Sequence, residues 1–362
     1  MASPLLEPEP ELPSLCASAP SALNPPSRAQ AALHGPLPPH ALTPSLSHES
    51  HSHSVPPTIL ITGGSGFIGS HLAHHFQGAA RIRVLDNLSS GFRSNLAGLD
   101  CDFIQGSILD PATLRAAMRG VDFVFHLAAM ISVPESMENP VGCAETNTIG
   151  TLRVLEEAAR AGVKKLILSS SAAIYGNNPV VPKREDMLPE PASPYAISKL
   201  DGEYYCALFT AARSLPTVAL RYFNVFGPRQ NPASAYAAAV PLFIHRALRG
   251  QPITIHGDGA QTRDFISVRD IARANAFFAT ESPLTGVFNV ARGGSLSILD
   301  LARHIIRLTG SGSEILHGPD RPGDVRHSTA SLERLSAAGF VPAFDFDLAL
   351  REAIASSETA PA

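Results

Sequence analysis

Neither sign of charge is in excess along this chain: 28 Lys and Arg stand against 32 Asp and Glu, a formal net charge of −4. A surface that holds nucleic acid or an anionic membrane carries a basic footprint, and this sequence has none. Uninterrupted apolar runs long enough to span a bilayer are also missing. Nucleic acid and membrane are therefore not expected as partners. Cysteine is scarce: Cys16, Cys101, Cys143 and Cys206 lie far apart and without metal-ligand spacing. They read as reduced thiols of a cytoplasmic protein, with no metal site expected. A 44% hydrophobic and 17% charged chain of 362 residues suits a globular protein with a substantial core and one large or two modest domains.

Residues 1–55 are different material, crowded with Pro, Ser, Ala and His and without a sustained period. Too little apolar surface is available to offset ordering entropy, so this segment is expected to be disordered. Its histidines (His34, His40, His48, His51 and His53) read as a solvated low-complexity tail. No basic region leads into an apolar stretch, so it does not read as a secretory signal.

From Thr58 onward, apolar runs alternate with helical patterns, which signals a parallel α/β sheet. Strands are predicted at 58–62, 81–86, 121–127, 166–169 and 217–222, with a helix over 70–76 and an amphipathic stretch over 147–161. Beyond residue 227 the pattern becomes irregular. The expected fold is a Rossmann-type, doubly wound parallel sheet with a smaller α/β lobe capping the substrate. Residues 56–230 would be mainly the Rossmann domain and 231–352 mainly the smaller lobe, the two interleaved, with 353–362 a tail.

Thr62-Gly-Gly-Ser-Gly-Phe-Ile-Gly69 follows the first strand and opens the first helix. Gly63, Gly66 and Gly69, spaced Gly-x-x-Gly-x-x-Gly, permit a tight turn and close approach of backbone to a pyrophosphate, which the helix N-terminus favours. Asp86 ends the second strand, where a carboxylate binds the adenosine ribose and repels a 2′-phosphate; NAD is thus favoured over NADP. Downstream stand Ser171 and the pair Tyr195-x-x-x-Lys199, which puts a phenol and an ammonium on one helix face. A phenol titrates near ~10, and a neighbouring ammonium is expected to lower that value toward a useful base.

With these residues in view, the stretch from about Thr58 to about Leu350 resembles the extended short-chain dehydrogenase/reductase family, in particular its nucleotide-sugar 4-epimerases. The matching segments include His126-Leu-Ala-Ala129, Ser169-Ser-Ser-Ala-Ala-Ile-Tyr-Gly176, Arg221-Tyr-Phe-Asn-Val-Phe-Gly227, Arg263-Asp-Phe-Ile266 and Arg321-Pro-Gly-Asp324. The resemblance implies Ser171, Tyr195 and Lys199 as catalytic residues. It implies a cofactor site of Gly63, Gly66, Phe67, Ile68, Gly69, Asp86, Asn87, Leu127, Ala128, Ala129 and Asn147, together with Tyr195 and Lys199. Gly106-Ser107-Ile108 departs from the pattern where an Asp often meets the adenine, so Ser107 and Ile108 take that place in the cofactor site, Ile108 as packing. Tyr195 would take the proton of the sugar 4-hydroxyl as its hydride passes to NAD. The 4-keto sugar would turn over and take the hydride back on its other face. Dehydratases of the family usually place an acid after the catalytic Ser or Thr; Ala172 and Ala173 stand here, which leaves epimerisation.

For the substrate, the resemblance implies Ser132, Ser171, Asn224, Gln230, Ala239, Val240, Arg263, Arg321, Asp324 and Ser328. Arg263 and Arg321 suit phosphate oxygens. Ser328 stands where epimerases restricted to UDP-glucose and UDP-galactose carry a bulky Tyr, leaving volume for a 2-acetamido group. UDP-N-acetylglucosamine and UDP-N-acetylgalactosamine are the expected pair, extending to the matching uronates, with UDP-glucose as the alternative. A homodimer through the helices after Asn147 and Tyr195 is likewise implied. His71, His74 and His75 have metal-like spacing but no acidic partner, and read as a partly exposed helix face. His126 reads as a satisfied structural histidine, and Tyr175 and Phe265 as core or pocket wall. A non-catalytic NAD-binding scaffold would have lost the tyrosine or lysine. A reductase or dehydrogenase would keep both yet release its cofactor.

Overall fold

A computed structural model describes residues 55–232, 238–320 and 325–359. The expected disordered segment, apart from Val55, lies outside them, as do Arg321, Asp324 and residues 360–362. The strands follow the apolar runs: β1 (Thr58–Thr62), β2 (Arg81–Asp86), β3 (Cys101–Gln105), β4 (Phe123–His126), β5 (Lys165–Ser171) and β6 (Thr217–Tyr222). Between them come α1 (Phe67–His75), α2 (Pro111–Ala117), the short α3 (Val133–Glu138) and α4 (Pro140–Cys143), α5 (Gly150–Ala161) and α6 (Pro194–Ala212). These six strands and a later one, β11 (Gly286–Val290), form a seven-stranded parallel sheet in the order β11-β6-β5-β4-β1-β2-β3.

Alternation along the strands splits the core in two. Ile59, Ile61, Val84 and Phe125 face α1 and a later helix, α8 (Val268–Ala276), while Leu60, Leu85 and Val124 face α2, α5 and α6. The strand order reverses between β1 and β4. Ligands of such sheets bind at that switch point, beyond the carboxyl ends of the strands. Gly63, Asp86, Leu127 and Ser171 all lie at those ends.

The second half is built from smaller pieces. These are β7 (Asn224–Phe226), α7 (Ala239–Leu248), β8 (Ile253–His256), β9 (Thr262–Arg263), β10 (Phe265–Ser267), α8 (Val268–Ala276), β11 (Gly286–Val290), β12 (Leu296–Ser297), α9 (Ile298–Thr309), β13 (Ile315–Gly318), β14 (His327–Ser328), α10 (Glu333–Ala337) and α11 (Phe346–Thr359). Phe243, Ile244, Ile253, Leu301 and Ile305 form a core of their own here. The interleaving is concrete: β11 leaves this half and pairs in register with β6, Val290 opposite Tyr222. One expectation is corrected. Residues 353–359 belong to α11, because Ala349, Leu350, Ala353 and Ile354 repeat at helical spacing and are buried in the small-lobe core.

Candidate active site

The turn after β1 is a cradle that only glycine fits. Gly63 has φ of +71°, and a Cβ there would come within 2.7 Å of the Ala128 nitrogen. A Cβ on Gly69 would collide with the Gly63 carbonyl oxygen. No side chain caps the start of α1, so its first N–H groups stay open to an anion. Asp86 is held by the same turn: its carboxylate accepts the N–H of Ser65 and of Leu88, each at 2.8 Å. Two carboxylate oxygens have further lone pairs for ribose hydroxyls. Asn87 is exposed and accepts the Ser89 N–H at 3.1 Å. Ser107 accepts the Leu109 N–H at 3.1 Å, and Ile108 is core, packed on Gly150. These residues could hold a dinucleotide, its pyrophosphate at the open start of α1 and its ribose at Asp86.

Ser171 closes β5, and its hydroxyl accepts the Ala173 N–H at 3.1 Å. Across from it, α6 starts at the cap Ser193, with Pro194 in its first turn. This start places Tyr195 in the first turn and Lys199 one turn on. Tyr195 is hydrogen-bonded to Ser171 through its hydroxyl. Lys199 is 7% exposed, donates to the Ser169 carbonyl at 2.9 Å, and lies 5.7 Å from the centre of the Tyr195 ring. Burial pulls its ammonium down to about 8.

The expected lowering of the tyrosine does not hold for these protein groups alone. Burial pushes the phenol above its ordinary value, and the Ser171 hydrogen bond pulls the other way without reversing it. The ammonium sits over the ring and is bonded to a carbonyl, so its field on the phenolic oxygen is weaker than Tyr-x-x-x-Lys spacing suggests.

Several supports were not read from the sequence. Ser136, fully buried, accepts the otherwise unpaired Tyr195 N–H at 3.2 Å. Glu203 continues the Tyr195–Lys199 face of α6 and meets Arg221 of β6 in a two-pronged ion pair at 2.9 and 2.7 Å, each 4% exposed. Arg221 also donates to the Tyr175 hydroxyl at 2.8 Å, which donates to Asn289 at 2.7 Å. A charged residue inside the otherwise apolar β6 is the signal that a buried partner exists. Asn147, which the resemblance does name for the cofactor site, lies in a π-helical turn, Ala144–Ile149, between α4 and α5. Its side chain bonds both main-chain groups of Met130 (2.7 and 2.9 Å) and the Ser198 hydroxyl (3.0 Å), fixing the loop after β4 to α6.

On the substrate side a cavity of about 370 Å³ is lined by Asn224, Ala239, Val240 and Arg263, with Gln261 and Phe265 among its walls. Asn224 donates to the Asp264 carbonyl from its side chain at 3.2 Å. Gln230 donates to the carbonyl of Val225, another wall residue, at 3.3 Å. Ser328 pairs in register with Arg263 where β14 meets β9. Ser132 is set apart from this group: it caps α3 on the connection after β4, accepting the Glu135 N–H at 3.1 Å.

The remaining candidates settle as structure. His126 is buried between Thr62 and Thr151 (2.7 and 2.9 Å), and burial drives it down to about 3, so it is neutral. His71 bonds the Pro228 carbonyl at 2.9 Å and His74 that of Asn95 at 3.2 Å, which separates the histidines of α1. Tyr175 is core and Phe265 lines the cavity. Among the described residues no helix is long and apolar enough to cross a membrane.

Sheet order, glycine cradle and the tyrosine–lysine helix beside the switch point define the class, a short-chain dehydrogenase/reductase of the extended type. The chain belongs to the NAD dependent epimerase/dehydratase family, which it matches over residues 59–291, ending as β11 completes the sheet. Among solved structures it is similar to a UDP-N-acetylglucosamine 4-epimerase from Methanobrevibacter ruminantium in complex with UDP-N-acetylmuramic acid. The TM-score is 0.81 at 40% identity, covering 84% of this chain and 98% of that one. It is also similar to the Thermus thermophilus UDP-glucose 4-epimerase complex with NAD, with TM-score 0.78 and 34% identity over 84% and 100% of the two chains. A curated UDP-glucose 4-epimerase of Mycolicibacterium smegmatis is 36% identical over 308 residues, 82% of this chain and 96% of the relative.

Proposed function

We propose that this protein inverts C4 of a UDP-sugar through a transient 4-keto intermediate, with UDP-N-acetylglucosamine and UDP-N-acetylgalactosamine as the preferred pair. NAD, when bound, would supply an acceptor and donor for the C4 hydride and a positive charge that favours a phenolate nearby. Tyr195 holds and moves the proton of the sugar 4-hydroxyl, Ser171 orients that oxygen, and Lys199 presents its remaining N–H donors to the cofactor ribose. Asn224 and Arg263 hold the diphosphate from the cavity, and Arg321 and Asp324 complete the anchor. Ala172 and Ala173 supply no acid for eliminating water or for decarboxylation.

The observation that carries the sugar assignment is the pairing of Ser328 with Arg263. It puts a small hydroxyl side chain beside the phosphate-binding arginine, where the restricted epimerases have a tyrosine. Incubation with UDP-glucose, UDP-N-acetylglucosamine and their uronates, with C4 stereoisomers resolved by chromatography, tests it. Ser328→Tyr is expected to abolish turnover of the acetamido sugar while sparing UDP-glucose; unchanged N-acetyl turnover in that variant refutes the gate. Product formed without added NAD separates this reading from a reductase that releases its cofactor.

A homodimer is part of the proposal. The face of α6 turned away from the sheet leaves Ile197, Tyr204 and Leu208 49%, 62% and 56% exposed, and Ile149 before α5 is 43% exposed. Such a row is costly to leave in water. A sedimentation mass of one chain would remove this part.

A further inference from the structure

Asp264 stands between two residues of the cavity wall, Arg263 and Phe265, yet is itself fully buried and points elsewhere. Its carboxylate accepts three main-chain N–H groups from two distant segments. Arg292 donates to one oxygen at 3.0 Å, while Gly293 and Ala330 donate to the other at 3.1 and 3.3 Å. The first two follow β11, the last strand of the main sheet; Ala330 lies two residues beyond Ser328. The carbonyl of the same residue accepts both the main-chain and side-chain N–H of Asn224, at 3.0 and 3.2 Å. One residue therefore ties the main sheet, the diphosphate-facing asparagine and the strand that carries Ser328.

We propose that Asp264 is a positioning residue for substrate, setting the spacing between Asn224, Arg263 and Ser328. This inference rests on the reading that those three face the UDP-sugar. The physical reason for a carboxylate is the donor count. Three buried N–H groups need an acceptor at both side-chain oxygens, and an amide offers one. In Asp264→Asn the amide oxygen can keep Gly293 and Ala330, and the amide nitrogen then faces the Arg292 N–H. The turn after β11 must move, and the cavity wall moves with it.

The test uses the full-length protein and three readouts: bound NAD per chain, the dissociation constant for UDP by calorimetry, and KM and kcat for the sugar that the wild type inverts. For Asp264→Asn the expected result is normal NAD content, a UDP dissociation constant and KM raised on the order of tenfold, and kcat within about twofold, the size of one misplaced charge-assisted contact. Asp264→Ala removes all three acceptor contacts and should weaken UDP further, at unchanged NAD if it folds. Unaltered UDP affinity in Asp264→Asn with only a lower melting temperature overturns the proposal, as does a wild type that binds no UDP. UDP binding that weakens as expected in a protein that inverts no sugar would instead sink the epimerase reading and leave Asp264 in place.

Discussion

Lys199 in the cofactor half and Asp264 in the substrate half are both buried charges without an ion pair among the described residues, but they are satisfied in opposite ways. Among the described residues the ammonium has one hydrogen-bond acceptor, the Ser169 carbonyl, and keeps donors in reserve. The carboxylate accepts from three N–H groups. Burial moves both toward neutrality, the lysine down to about 8 and the aspartate up to about 6. Unspent hydrogen-bonding capacity in a buried ion marks a group waiting for a ligand, whereas spent capacity marks one that holds other groups in place.

The contrast can be broken in three ways, in falling order of effect. Tyr195→Phe removes the proton carrier and should lower kcat by about 10²–10⁴-fold with NAD retained; steady-state rates decide it, and near-normal turnover would leave the cofactor half without its chemistry. Glu203→Ala leaves Arg221 buried and unpaired, which should cost about 3–5 kcal/mol of stability, read as a lower urea midpoint. The third concerns Lys199 and pH. Its folded value lies below the ordinary 10.5, so the folded protein carries the unfavourable charge at pH 7 and sheds it earlier than the unfolded chain as pH rises. Lys199→Met should therefore stabilise the NAD-free protein at pH 7 by roughly 3 kcal/mol at most. That advantage should shrink between about pH 8 and pH 10.5, as wild-type and variant urea midpoints across that range would show. A variant no more stable than the wild type at pH 7 would mean the ammonium is better satisfied than its single carbonyl partner implies.

The cofactor half was legible because its information is local. Strand, glycine turn and helix are contiguous in residues 58–76, and Tyr195 and Lys199 share one helix. The substrate half was less so. The two-residue strands β9, β12 and β14 are too short to show any period, and Asp264 finds its partners 28 to 66 residues away. Two signals were present and unread: the lone arginine inside β6, and the apolar stripe of Ala349, Leu350, Ala353 and Ile354 that makes α11 a helix. The raised phenol of Tyr195 was not readable at all, since spacing tells of a neighbouring charge and nothing of desolvation.

The return of β11 to the main sheet bears on modularity. A protein cut after residue 230 would keep the glycine turn, the tyrosine and the lysine, but β6, buried along its whole length, would keep β5 on one edge and lose β11 on the other. Unpaired N–H and C=O groups along an apolar strand invite other chains to add on. The first 230 residues are thus not a detachable module: their sheet acquires its final edge only from a strand some sixty residues further along the chain.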